Sequence, residues 1–160
     1  MKKELCEKLE RLLFTTTDPN DVIHRCVIVF HKMYAISFYH GHHNLLKNND
    51  KLLLYNVKEE GLAVEVAVHS ISKKHDLIIF KVVNGEFRDY PQASDMYAGQ
   101  KYYLIGLQQK RRPMWKNGII SQYCDGYYVG TSHSEIGGSG SGIFNEDGQF
   151  IGIAVAKKGI

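Results

Sequence analysis

No apolar run in this 160-residue chain approaches the ~20 residues a bilayer-spanning helix needs, which excludes a transmembrane helix. Met1 to Phe14 is charged and periodic, without the apolar centre and small-residue cleavage site of a secretory leader; nothing in it directs the chain out of the cell, and a cytoplasmic setting is expected. Cysteine is scarce: Cys6, Cys26 and Cys124 are odd in number, far apart and form no CxxC pair. That argues against a disulfide framework and fits a reducing compartment. Neither sign of charge dominates, with 20 Lys and Arg against 17 Asp and Glu for a net charge of +3. Such a balance permits weak attraction to RNA or an anionic surface without requiring it. Helical patterns are too few for βαβ units, and no low-complexity tract or exact repeat is present.

A hydrophobic share of 44% and a charged share of 23% suit one compact domain, or two small subdomains sharing an interface. Lys2 to Phe14 places Leu5, Leu9, Leu12 and Leu13 at helical spacing, which predicts a short amphipathic helix that packs on the rest. Thr15 to Asn20, with Asp18-Pro19-Asn20, predicts the turn that ends it.

The pattern then changes to short β-rich runs: Val22–Phe30, Tyr34–Tyr39, Lys51–Val57, Ala63–Ser70 and Leu77–Val83. After the polar connection Glu86–Tyr97 come Gln100–Leu107, Gly118–Tyr123, Tyr127–Thr131, Ile143–Phe144 and Gln149–Val155. Short strands separated by turns predict an all-β barrel or sandwich. We divide the chain into residues 1–20 (helix and turn), 21–90 (first β half) and 91–160 (second β half). Gln108 to Pro113 reads as a basic loop; with Trp115 nearby it is a solvated loop or a phosphate contact.

Three segments carry chemistry. Gly137-Gly138-Ser139-Gly140-Ser141-Gly142 surrounds serine with residues that allow tight, positive-φ turns, whose backbone N–H groups can converge on an anion. Alone, such a loop is also what a flexible linker looks like. A serine hydroxyl needs a base within hydrogen-bond reach, and histidine is the natural one. Tyr34 to His40 ends a strand on histidine, and Asp76 opens the strand that runs to Val82. A carboxylate beside the imidazole fixes its tautomer and stabilises the imidazolium. The plain alternatives are a surface histidine, a strand-opening aspartate that satisfies a backbone N–H, and a loop serine, with Ser141 as rival nucleophile. His40, His42 and His43 could instead form a metal cluster, although adjacent histidines rarely share one ion.

The order His, Asp, Ser and the flanking residues resemble the chymotrypsin-like serine proteases. Ser37-Phe38-Tyr39-His40 is similar to the family's Thr/Ser-Ala-Ala-His. Asp76 to Val82 resembles its Asp-hydrophobic-Ala-hydrophobic-Leu-Lys, and Gly137 to Gly142 its Gly-Asp/Asn-Ser-Gly-Gly-Pro. Phe144-Asn145 through Ile153 resembles the segment that follows in bacterial and intracellular members, and the likeness runs from about Val22 to Val155. It departs at Gly138, where Asp or Asn is usual, at Gly142 in place of proline, and in lacking an activation-type N-terminus.

The resemblance implies two antiparallel β-barrels of the six-stranded type, the second ending before its last strand or continuing beyond this fragment. It implies a serine endopeptidase acting through His40, Asp76 and Ser139 and a covalent acyl-enzyme, with the Gly137 and Ser139 amides as oxyanion hole. His133, Ser134, Ala154 and Lys157 would line the substrate pocket. Neither metal nor organic cofactor is implied. The expected partner is a peptide or protein, which includes a polyprotein if the source is viral; the setting would then be the host cytoplasm. Nucleic acid is a secondary expectation and a membrane none. The competing reading is a catalytically inactive protease-fold module that binds protein or RNA.

Overall fold

A computed structural model describes residues 1–21, 24–108, 111–131 and 140–154. The elements are helix α1 (Lys3–Glu10) and strands β1 (Leu13–Thr15), β2 (Cys26–Val29), β3 (Tyr34–Phe38), β4 (Lys51–Asn56), β5 (Ala63–Ser72), β6 (Leu77–Val82), β7 (Lys101–Gln108), β8 (Arg112–Cys124), β9 (Tyr127–Gly130), β10 (Gly142–Phe144) and β11 (Phe150–Ile153). A 3-10 turn, Gly41–Leu45, follows β3. No helix among the described residues is long and apolar enough to cross a membrane.

The first half is a closed barrel in the order β1-β2-β3-β6-β5-β4. A barrel of this size has room only for side chains. Ile28, Leu54, Val66, Ile78 and Phe80 fill it at essentially zero exposure. The second half is a five-stranded sheet, β11-β10-β7-β8-β9, among the described residues. Its own cluster is Tyr102, Leu104, Met114, Ile120 and Ile143. Ile105, Leu107 and Phe144 face the other way and join the barrel's apolar cluster, so the two halves share one packed interface. This is the chymotrypsin-like double-barrel architecture that the resemblance implied.

Closure of the barrel corrects the reading of the N-terminus. The helix ends at Glu10 instead of Phe14, with Arg11 as its C-cap, and Leu13–Thr15 is a strand. Leu13 pairs with Ile28 and Thr15 with Cys26 on one side, while Phe14 lies opposite Asn56 on the other. The reason is burial. Leu12, Leu13 and Phe14 are consecutive and all buried. A helix can bury only a stripe, whereas a strand covered on both faces buries every residue.

The basic loop is also shorter than expected. β8 begins at Arg112 and pairs with β7 from Gln108↔Arg112 to Lys101↔Ile119. Arg111, between them, has φ +59° and donates through Nη2 to the Asn56 carbonyl at 2.6 Å, tying this hairpin to the barrel. Trp115 Nε1 donates to Glu10 at 2.7 Å, and Glu10 also pairs with Lys58 at 3.0 Å. Helix α1 therefore bridges both halves. The Glu86–Tyr97 connection is anchored too: Ser94 N–H donates to the Phe150 carbonyl and Phe150 N–H to that of Gln92.

Candidate active site

Strands β3 and β6 are antiparallel neighbours whose register ends on Phe38↔Leu77. One step beyond, Tyr39 N–H donates to the Asp76 carbonyl at 3.1 Å. His40 and Asp76, distant in sequence, are thereby set side by side at one barrel end, with the barrel register fixing their relation.

Asp76 uses both carboxylate oxygens. Oδ1 accepts from the backbone N–H of His40 at 2.8 Å and of Tyr39 at 3.1 Å, and Oδ2 lies 2.6 Å from His40 Nδ1. A carboxylate only accepts, so Nδ1 carries a proton, and in the neutral ring Nε2 is left with its lone pair. Asp76 has φ +58°, a left-handed conformation that costs an L-residue about 1–2 kcal/mol and that aspartate tolerates better than most. Three hydrogen bonds, all accepted by its carboxylate, hold it there. The plain reading of Asp76 as a strand-opening residue that satisfies backbone N–H groups is thus true, and the same carboxylate also orients the imidazole. His40 remains half exposed, with 52% of its side chain accessible, so another molecule can reach its ring.

Of the glycine-rich loop 137–142, the structure describes Gly140 onward; Ser139, Gly137, His133, Ser134 and Lys157 lie outside the described residues. Gly140 has φ +83°. A Cβ on it would meet the Cys26 carbonyl and the Phe38 ring at 2.8 Å each, and Ser37 Oγ at 3.2 Å, so only glycine fits. Gly140 N–H donates to the Ala154 carbonyl at 3.0 Å and Ala154 N–H to that of Ser141 at 2.8 Å. Ala154, the one expected pocket residue that is described, therefore fastens the end of β11 to this turn. The rival nucleophile fails on access: Ser141 has no exposure and its Oγ points against Gly106.

His43 is buried, with Nδ1 2.7 Å from the Phe38 carbonyl and Nε2 2.7 Å from Thr16 Oγ1. Both ring nitrogens are engaged, which leaves none for an ion shared with His40. No trio of His, Cys, Asp or Glu assembles as a metal site among the described residues. One contact beside the site has no signal in the sequence: the rings of Tyr127 and His75 lie 6.0 Å apart and join the second sheet to the turn carrying Asp76. The two residues are 52 positions apart, His75 in the turn between β5 and β6 and Tyr127 in β9, and neither belongs to a motif.

Cys26, beneath Gly140, is fully buried, and burial pushes its thiol up to about 12, against a smaller opposing effect of a hydrogen bond with the Leu107 backbone. A folded-state value above the ordinary 9.0 means the thiolate is disfavoured in the native protein, and the associated stability is lost as pH rises from about 9 toward 12. At pH near 8, native Cys26 is therefore expected to resist iodoacetamide and to react fully in denaturant. Peptide-resolved mass spectrometry reads this directly, and equal rates in both states would contradict the burial.

The trypsin-like peptidase domain family matches residues 26–153. No curated protein matches the chain significantly. Among solved structures, it is similar to the MamO protease domain from Magnetospirillum magneticum, apo form, at TM-score 0.72 and 14% identity, covering 96% of this chain and 88% of that one. Deg5 superposes at TM-score 0.69 and 16% identity, covering 98% and 88%. An inactive serine-to-alanine form of Rv3671c from M. tuberculosis superposes at TM-score 0.67 and 14% identity, covering 95% and 78%.

Proposed function

The chain belongs to the trypsin-like peptidase family, and from that premise we propose that it is a serine endopeptidase using His40, Asp76 and Ser139. The observation that carries this reading is the 2.6 Å contact between His40 Nδ1 and Asp76 Oδ2, which leaves the opposite ring nitrogen as a base. Supporting it, Gly140 lies against Phe38, two residues before His40.

In the proposed reaction His40 Nε2 takes the Ser139 hydroxyl proton as its oxygen attacks the peptide carbonyl. Asp76 stabilises the resulting imidazolium, and the N–H groups of Gly137 and Ser139 stabilise the tetrahedral oxyanion. His40 then protonates the leaving amine, which separates and leaves an ester on Ser139. Water, deprotonated by His40, hydrolyses the ester and restores the hydroxyl. The substrate is a peptide or protein segment, its side chain before the cut held among His133, Ser134, Ala154 and Lys157.

A proteome-derived peptide mixture tests the activity across many candidate substrates at once. Incubation with the folded protein is expected to create new termini sharing a residue preference beside the cut. A mixture left unchanged by folded protein would overturn the endopeptidase reading.

A further inference from the structure

Two rings, Phe38 and His43, follow one another from the proposed base. Phe38 lies 4.5 Å from the His40 ring, centroid to centroid, at 33°, and 4.9 Å from the His43 ring at 30°. The far member is fixed at both nitrogens. A carbonyl only accepts, so His43 Nδ1–H donates to Phe38 O, and in the neutral ring Nε2 accepts from the Thr16 hydroxyl. His43 is therefore a rigid backstop, tied to the strand that carries Phe38 and to the chain just after β1. An edge of the Phe38 ring faces a third neighbour: its Cδ1 would lie 2.8 Å from a Cβ on Gly140.

Phe38 thus touches the imidazole on one side and the backbone following Ser139 on another. Each contact alone is ordinary packing. Together they make the ring a spacer between the His40 imidazole and the Gly140 backbone; on the endopeptidase reading that spacing bears on proton transfer, which needs heavy atoms within about 2.6–3.2 Å. An aromatic ring suits this role: it is stiff, and its thickness is fixed.

We infer that Phe38, braced by His43, is a positioning residue that sets the His40 ring against the Ser139 turn. The inference rests on the endopeptidase reading above. Phe38→Ala is expected to lower kcat on the order of 10²-fold, the effect of a displacement of about 1 Å at a reacting centre, with KM changed less than about threefold. Phe38→Leu, which keeps most of the bulk, should recover most of the lost rate.

A second readout needs no turnover. The His40 ring C–H resonances, assigned by their loss in His40→Gln, should be displaced by the Phe38 ring current in the parent and should move toward random-coil positions in Phe38→Leu. General loss of packing would not shift these resonances selectively, nor divide kcat from KM.

A folded Phe38→Ala variant with near-parental kcat, or His40 resonances unchanged in Phe38→Leu, would overturn the inference while leaving the endopeptidase reading intact. A parent that cleaves nothing would overturn both. Should Phe38→Ala not fold, the leucine variant and the resonances still decide.

Discussion

Replacing Ser139 by alanine is expected to lower kcat on any peptide the parent cleaves by about 10⁶-fold, with little change in KM. Without the hydroxyl no acyl-enzyme forms, and what remains is the stabilisation of a water-attack transition state by the backbone and by binding. His40→Ala should cost nearly as much, because an unassisted hydroxyl is a poor nucleophile at neutral pH. The double variant should be no slower than either single one, since each change disables the same step. Ser141→Ala is the control. Its hydroxyl is buried against Gly106, without a hydrogen-bond partner among the described residues, so its removal should leave kcat within about threefold. Steady-state rates on one peptide compare all of these variants with the parent. Loss of activity in Ser141→Ala with retention in Ser139→Ala would reverse the assignment.

Asp76→Asn is expected to cost about 10⁴-fold in kcat with the fold intact. The reason is proton placement. Asn Oδ1 can keep accepting from the backbone N–H groups of Tyr39 and His40, as Asp76 Oδ1 does now. Its amide nitrogen then stands where Oδ2 stands, 2.6 Å from His40 Nδ1, and it donates where the carboxylate accepted. The imidazole must place its proton on Nε2, the atom required as base. The charge that would stabilise the imidazolium is lost as well. Thermal unfolding of the variant should stay close to that of the parent while the rate collapses. A variant that turns over within tenfold of the parent would remove Asp76 from the mechanism.

The His40–Asp76 relation is legible in the sequence through the need of a base for a carboxylate and through the family resemblance of the two flanking segments; that β3 and β6 are antiparallel neighbours, which sets the two side by side, is seen only in the fold. Other features are hidden for physical reasons. β1 reads as helix because Leu5, Leu9, Leu12 and Leu13 keep helical spacing across the break at Arg11. Only pairing with β2 and β4, distant in sequence, selects the extended form. The basic loop reads as solvated or anion-binding, yet Arg111 spends its guanidinium on the Asn56 carbonyl, a partner 55 residues away.

His43 resembles a companion of His40 because the two are close in sequence. The 3-10 turn that contains it sends it inward to Thr16 and the Phe38 carbonyl instead. At Gly140 the sequence shows a glycine that the turn would need, but not the reason: three barrel atoms crowd the place of its Cβ. The expected pocket residues other than Ala154 lie outside the described residues, and their part is a proposal.

Covalent labelling tests the triad most directly. A fluorophosphonate reacts with a serine only where a base has activated the hydroxyl and donors receive the phosphoryl oxygen. Peptide mapping of the labelled protein should place the adduct on Ser139, with none on Ser141, and His40→Ala should abolish it. Folded, peptide-cleaving protein that takes no label on Ser139, or that labels equally without His40, would contradict the assignment.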